Sequence, residues 1–157
     1  MVEVSLSEVR SFEEFAIVTD LRLRRALVAR FGVDVGNDVT NDAMAYAWEH
    51  RDQVMAATNP VGLLYRVGQS SARRYFRWKR VVELPREEPF SGSVFEPGLA
   101  PALAAMRSEH RTAVILIHGY GWSYADTAEM MDVPISTVAN WATRGLNKLR
   151  RLLKESA

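Results

Sequence analysis

Apolar residues recur at helical spacing through the last part of the chain, from Gly121 to Leu153, and predict two helices joined by a tight corner. Ser123 is a good N-cap for the first helix, Asp132 tolerates the left-handed conformation that closes it, and Pro134 suits the opening of the second. The polar residues that the second helix turns outward near its start are Ser136, Thr137, Asn140, Thr143 and Arg144. This order of parts predicts a helix-turn-helix, which places its second helix in a DNA major groove. The alternative is a plain helical hairpin within a bundle.

The same periodicity predicts three helices in the first half of the chain. The first runs from Phe12 to Phe31, and Gly32 and Gly36 then bracket a turn. Asp38 is the predicted N-cap of the second helix, and Pro60 opens the third after a break in the pattern.

Between the two halves, residues 81–100 contain several prolines and glycines and carry more acidic than basic side chains. They predict a flexible linker rather than a regular element. Residues 102–118 are again helical in pattern and lead into the helix-turn-helix. The sequence therefore predicts an all-α fold of two small helical domains, residues 10–80 and 101–154, with the helix-turn-helix in the second.

One face of the second helix is acidic. Asp38, Asp42, Glu49 and Asp52 lie along one stripe, and Asn41 stands beside it. The simpler interpretation is a solvated helix face, and the sharper one is a docking surface for a basic partner helix.

The end of the third helix is the most basic part of the chain. Arg73, Arg77 and Arg80 share a face that suits phosphates. The interleaved aromatic residues, which suit unstacked bases, are Tyr75, Phe76 and Trp78. The alternative is a helix end whose arginine stems cover apolar surface and whose aromatic rings are core, with Phe76 expected in the core at least.

Composition limits the class of protein. The chain has 157 residues, of which 48% are hydrophobic and 25% charged, and its net charge is +1. No apolar run reaches the ~20 residues that a membrane helix needs, and the start shows no secretory signal. Cysteine is absent, which excludes disulfides and thiolate metal sites. We therefore expect a cytoplasmic protein with no membrane segment.

Catalysis is not expected. His50, His110 and His118 share no metal-binding spacing, and no glycine-rich phosphate loop occurs. The paired carboxylates of Asp38 and Asp42 lie on a helix face where burial cannot separate their pKa values. We expect no catalytic residue, no metal and no cofactor.

Three segments in order carry a family resemblance. Asn37–Trp48 (NDVTNDAMAYAW), Leu63–Arg77 (LLYRVGQSSARRYFR) and Ser123–Trp141 (SYADTAEMMDVPISTVANW) resemble motifs of bacterial RNA polymerase sigma factors of the extracytoplasmic-function (ECF) type. The resemblance covers about Phe12 to Leu153. In that family, a helical region 2 and a helical region 4 are joined by a flexible linker.

The resemblance implies a transcription initiation factor that binds core RNA polymerase and directs it to promoters, with an anti-sigma factor as a possible further partner. The residues that it implies for docking on the clamp helices of polymerase are Asp38, Asn41, Asp42 and Glu49. Those implied for binding and opening the −10 element are Arg66, Gln69, Arg73, Arg77 and Arg80, with the Gln53–Asn59 loop. Those implied for the −35 element are Ser136, Thr137, Asn140, Trp141, Arg144 and Lys148. Region 4 would also dock on the polymerase flap.

The sequence departs from the family on the recognition helix. Ala139, Asn140 and Trp141 stand where the family often has Lys-Ser-Arg, and Trp141 either reaches DNA or packs inward. Two alternatives therefore remain open. One is a helix-turn-helix regulator that binds operators without polymerase, and the other is a degenerate sigma-like module that binds polymerase without reading promoters.

Overall fold

Helices account for almost all of the residues that this computed structural model describes, which are residues 2–82 and 98–155, with the side chains of residues 11–77 and 98–155. The helices are α1 (Val2–Phe31), α2 (Val33–Glu49), α3 (Arg51–Ala56), α4 (Pro60–Val82), α5 (Leu99–Ala104), α6 (Ser108–Val114), α7 (Tyr124–Met131) and α8 (Ile135–Glu155), with a π-helical turn at Ile115–Gly119. No strand occurs within these ranges, so the predicted all-α fold is confirmed. None of these helices is both long enough and apolar enough to cross a membrane.

The first lobe is formed by α1 to α4, and its helices cross closely at Gly36. A Cβ atom at Gly36 would lie 2.4 Å from the Cα atom of Val28 on α1, so only glycine lets α2 approach that backbone. The prediction of a turn at Gly36 was therefore wrong. α2 begins at Val33, after Gly32 with φ 90°, and Asp38 lies inside the helix rather than at its N-cap.

The break before α4 is shorter than the sequence predicted. Arg51–Ala56 is helical, so the predicted Gln53–Asn59 loop is a loop only at its end. Asn59 is the N-cap of α4, because its Oδ1 accepts a hydrogen bond from the backbone N–H of Gly62 at 3.1 Å. The predicted start of α4 at Pro60 is confirmed.

The second lobe is formed by α5 to α8 and contains the predicted corner. The backbone N–H of Asp126 donates to Ser123 Oγ at 3.0 Å, and Asp132 closes α7 with φ 56° and ψ 49°. These two predictions are confirmed. The predicted single helix over residues 102–118 is instead broken between α5 and α6.

The predicted linker, residues 81–100, lies mostly outside the described residues. Its two ends are helical, since α4 continues to Val82 and α5 begins at Leu99.

The two lobes pack against each other. α1 contacts α6 and the π-helical turn, and α4 contacts α7. Leu116, Met130 and Met131 of the second lobe belong to one buried apolar cluster with Leu27 and Leu64 of the first. A smaller cluster lies inside the second lobe, and its buried members are Ala102, Met106, Val114 and Leu149.

Candidate nucleic-acid interface

Three of the predicted polymerase-binding carboxylates line one open cleft between α2 and α4. Asp38, Asp42 and Glu49 lie on its α2 side, with Ser71 and Arg74 on the α4 side, and its volume is about 590 Å³. Ser71 Oγ donates a short hydrogen bond to Asp42 Oδ2 and so fixes that carboxylate against α4. The cleft holds three acidic side chains and one basic one, which suits a basic partner.

Asn41, the fourth predicted residue, faces a different neighbour. Its Oδ1 accepts a hydrogen bond from Arg24 Nη2 at 3.0 Å, and Arg24 Nη1 also donates to Asn37 Oδ1 at 3.1 Å. Arg24 in turn pairs with Asp20 at 3.1 Å. Asn41 therefore belongs to a polar network that joins α1 to α2 and does not line the cleft.

A second candidate surface, the basic stripe, runs along α4. Arg66, Gln69, Arg73 and Arg77 are spaced so that they fall on one helix face, and the three arginines are exposed. Arg80 lies beyond the side chains that the structure describes. Arg66 is already engaged, because its Nη2 lies 3.4 Å from Asp132 Oδ2 of the second lobe.

The aromatic residues near this stripe differ from the prediction in which of them are exposed. Phe76 is 37% exposed and was wrongly expected in the core, whereas Tyr75 is half-buried. The ring of Phe76 lies 6.1 Å from Phe31 and 5.7 Å from Tyr75, centroid to centroid. Among the described side chains, the ring of Phe76 therefore remains partly exposed beside the basic stripe, and Trp78 lies beyond those side chains.

The third candidate surface is the outer face of α8. Ser136, Asn140 and Arg144, each four residues apart, are exposed, while Thr137 and Lys148 are half-buried. Trp141 is half-buried and packs against the larger apolar cluster, which gives it a structural role. The buried face of α8 consists of Val138, Ala142, Gly145 and Leu149.

His110, on α6, lies close to positively charged side chains of α8. Its pKa is lowered first by burial and then by the positive charges of Arg107, Arg144 and Lys148, against the opposing charge of Glu109. Arg107, Arg144 and Lys148 therefore surround His110 with positive charge beside the middle of α8.

The contact between the lobes holds functional candidates that the sequence did not indicate. Arg111 of α6 is 7% exposed, and its Nε donates to the carbonyl of Ala29 at 2.9 Å while Nη2 donates to that of Arg30. Within its own lobe, Nη1 donates to the carbonyls of Met106 at 3.2 Å and Leu103 at 3.3 Å. An arginine in a helix normally indicates a solvated position, so the sequence carries no signal for this role.

The contact between the two lobes, which we call the joint, has a second side, where the first lobe contacts the helix-turn-helix corner. Asn59 Nδ2 donates to the carbonyl of Glu129 at 2.7 Å and to Asp132 Oδ1 at 3.3 Å. Arg22 Nη2 lies 3.7 Å from Asp126 Oδ2, and its guanidinium stands 4.8 Å from the ring centroid of Trp122. The only sequence signal here was that Asn precedes Pro at position 60.

Arg30 contacts a buried tyrosine of its own lobe and a glutamate of the other lobe. Its Nη1 donates to the hydroxyl of Tyr65 at 3.2 Å, and its Nη2 lies 3.5 Å from Glu109 Oε1. Burial raises the pKa of Tyr65, so the phenol is neutral at pH 7 and accepts this hydrogen bond.

Two comparisons with known proteins bear on the family. Residues 99–149 match the family model of sigma-70, region 4. Among solved structures, the chain is similar to the sigma factor RpoE from Bartonella quintana, crystallised in complex with the anti-sigma factor NepR. The identity is 24%, the match covers 92% of this chain and 98% of that one, and the TM-score is 0.66.

Residues 99–149 therefore resemble sigma-70 region 4, and the chain as a whole shares the fold of that sigma factor. No curated protein sequence matches the chain. α7 and most of α8, which form the helix-turn-helix, lie within the matched residues.

Proposed function

We propose that this chain is a sigma factor of the ECF type, an alternative transcription initiation factor rather than an enzyme. It would bind core RNA polymerase through the acidic cleft on α2 and read promoter DNA through two separate faces. The basic stripe of α4 would bind the −10 element, and the exposed face of α8 would bind the −35 element. The observation that carries the proposal is the cleft, where Asp38, Asp42 and Glu49 share one opening. An operator-binding regulator would have no use for such a surface.

The cleft suits the clamp helices of polymerase because its charge is concentrated and exposed. Asp38, Asp42 and Glu49 are all solvent-accessible, so their charges are screened by salt beyond ~8 Å at physiological ionic strength. We therefore expect charge pairing in the cleft to direct and accelerate docking, with affinity that falls as salt rises.

A charge reversal tests the cleft. Asp38→Arg with Asp42→Arg should lower the affinity for core polymerase at least tenfold, because like charges would then face each other. The matched control is Glu13→Arg with Glu14→Arg, which changes the net charge equally at two exposed positions of α1. Normal co-purification of the cleft variant with polymerase would refute the assignment.

The α8 face should make a small electrostatic contribution to DNA binding. It offers Arg144 and Lys148 with few other cations, so region 4 neutralises only about three or four phosphates, and the salt dependence of its binding is shallow. Specific recognition would then depend on polymerase holding both lobes on one DNA, which raises their effective concentration.

Substitution on α8 separates promoter reading from polymerase binding. Asn140→Ala with Arg144→Ala should leave polymerase binding unchanged and reduce transcription from a cognate promoter roughly tenfold or more. Arg151→Ala, at the exposed far end of α8, is the control. Unchanged transcription in the double variant would count against α8 as a reader.

The second candidate function is a polymerase-binding module that no longer reads the −35 element. Ala139 and Trp141 favour it, because Trp141 packs inward at a position where the family often has a basic side chain. A pull-down of core polymerase followed by transcription on fragmented genomic DNA separates the two candidates. Discrete start sites support the sigma factor, and binding without transcripts supports the module.

Two further expectations rest on the family. Since the similar RpoE was crystallised with the anti-sigma factor NepR, we infer an anti-sigma partner for this chain as well. Its place of action would be the cytoplasm, where promoter DNA and polymerase meet.

A further inference from the structure

We propose that the protein associates with a second copy of itself, the outer face of α1 packing against the same face of the other copy in antiparallel orientation. The residues of this face, which we call the seam, are Glu14, Val18, Leu21 and Arg25. None of them belongs to the acidic cleft, the basic stripe or the α8 face. The self-association therefore stands apart from the proposed function, and each can fail without the other.

The middle of the seam is apolar and exposed to solvent. Val18 is 63% exposed and Leu21 is 53% exposed, although α2, α4, α6 and the π-helical turn all pack on α1. Ile17, which adjoins the seam, is 77% exposed. Single apolar residues scattered over a surface are ordinary, but three that adjoin on one helix face indicate a surface that is covered by a partner.

The spacing of the seam is that of a helix-packing surface. Its four residues stand at positions i, i+4, i+7 and i+11, so they form one stripe along α1. Glu14 and Leu21 are seven residues apart, as are Val18 and Arg25, and seven is the repeat of two helices packed along their lengths. The seam spans about three turns, or about 16 Å at 1.5 Å per residue.

Charge makes the seam complementary to itself when one copy is reversed. Glu14 and Arg25 lie equally far from the midpoint between positions 19 and 20, and so do Val18 and Leu21. A two-fold axis at this midpoint brings Glu14 of each copy against Arg25 of the other, and Val18 against Leu21. A parallel pair would instead set Glu14 against Glu14 and Arg25 against Arg25. The partner that fits both charged ends is therefore this same helix, antiparallel.

The charged ends of the seam are available for pairing. Neither Glu14 nor Arg25 forms an ion pair with another side chain that the structure describes. The guanidinium of Arg25 stands 4.5 Å from the ring centroid of Tyr120, which holds it at the end of the seam. Tyr120 is itself 49% exposed and extends the apolar surface there. An arginine that is already ordered loses less conformational entropy when it pairs with a second copy.

The size of the seam predicts a weak, reversible dimer. Two helices that meet over about three turns bury less than the ~1,200 Å² at which stable interfaces begin. We therefore expect a dissociation constant on the order of 10–100 µM. The ion pairs at the two ends lie near solvent, so they fix the orientation more than they add affinity.

Sedimentation equilibrium from about 1 to about 500 µM measures the association. The weight-average mass should rise with concentration from that of one chain towards that of two. Val18→Gln with Leu21→Gln keeps residues that suit a helix and should weaken the dimer about tenfold or more. The control, Val33→Gln with Met55→Gln, changes two exposed apolar residues of other helices and should have no effect. A parent protein that stays monomeric throughout, or a seam variant that dimerises as the parent does, would overturn the proposal.

Charge reversal tests the pairing of the ends. Glu14→Arg and Arg25→Glu should each weaken the dimer, because like charges would then meet at both ends of the seam. The protein with both changes has the opposite charges in reversed order and should recover most of the affinity. Glu13→Arg with Arg25→Glu is the matched control, since Glu13 is exposed one residue away from the seam, and it should not recover. Equal recovery in both double variants would refute the pairing of Glu14 with Arg25.

Disulfide formation tests the orientation. The chain has no cysteine, so Glu14→Cys and Arg25→Cys each introduce a single thiol. In the antiparallel dimer these two positions meet, whereas the two copies of position 14 lie about 16 Å apart along the helix. With an added oxidant, a mixture of the two variants should form the mixed disulfide much faster than either variant alone forms its own. Faster disulfides within each variant alone, or equal rates in all three samples, would overturn the antiparallel dimer.

Discussion

Replacing Arg111 by methionine is the sharpest test of how the molecule is held together. Methionine keeps most of the length and volume of the arginine stem but has no donor for the carbonyls of Ala29, Arg30, Leu103 and Met106. The change therefore removes hydrogen bonds at the joint while leaving little empty space. We expect Arg111→Met to destabilise the folded chain.

Opposing terms set the size of this effect. Each buried carbonyl that loses its donor costs about 1–3 kcal/mol, but those near the edge of the joint regain water. Removal of the guanidinium also relieves its desolvation, which is large because Arg111 is 7% exposed and burial lowers its pKa. The net loss should be about 2–4 kcal/mol, below the upper range for a broken buried charge network.

Urea denaturation followed by circular dichroism gives the free energy of unfolding directly, and a thermal scan should show a midpoint about 5–15 °C lower. Arg107→Met is the matched control, since Arg107 is exposed at the start of the same helix, and it should change stability by less than about 0.5 kcal/mol. An Arg111→Met protein as stable as the control would refute the reasoning that its carbonyl contacts stabilise the fold.

Three other predictions follow from buried contacts. Gly36→Ala should cost about 2 kcal/mol or more in thermal unfolding, because its Cβ would meet backbone at 2.4 Å, whereas Gly119→Ala, with its nearest atom at 3.8 Å, should cost little. Burial and nearby cations lower the pKa of His110 below 6.5, so protonation favours the unfolded chain. Stability should therefore fall as the pH drops from 7 through 6.5, and His110→Gln should reduce that fall in melts at pH 7.5 and 5.5. Trp141→Ala should cost about 2 kcal/mol by urea denaturation and Trp141→Phe less, and equal stability of both variants to the parent would contradict the packing role.

Capping, turn and periodicity rules predicted those parts of the fold that depend only on residues close together in the sequence. The corner between α7 and α8 needs only a capping serine, a residue that accepts positive φ and a proline, and all three stand in sequence order at Ser123, Asp132 and Pro134. The acidic face of α2 followed from spacing along one helix, and three of its four predicted members share the cleft, whereas Asp52 lies on α3. Both inferences require no knowledge of what lies across from the helix.

Contacts between distant segments set the features that the sequence did not predict. Gly36 indicates a turn by its residue type, yet it lies inside α2 because α1 passes too close for a side chain. Asn59 indicates a break before Pro60, yet its amide also reaches the carbonyl of Glu129, 70 positions away. Periodicity reports which face of a helix is apolar, but not which helix covers it, so the joint between the lobes could not be predicted.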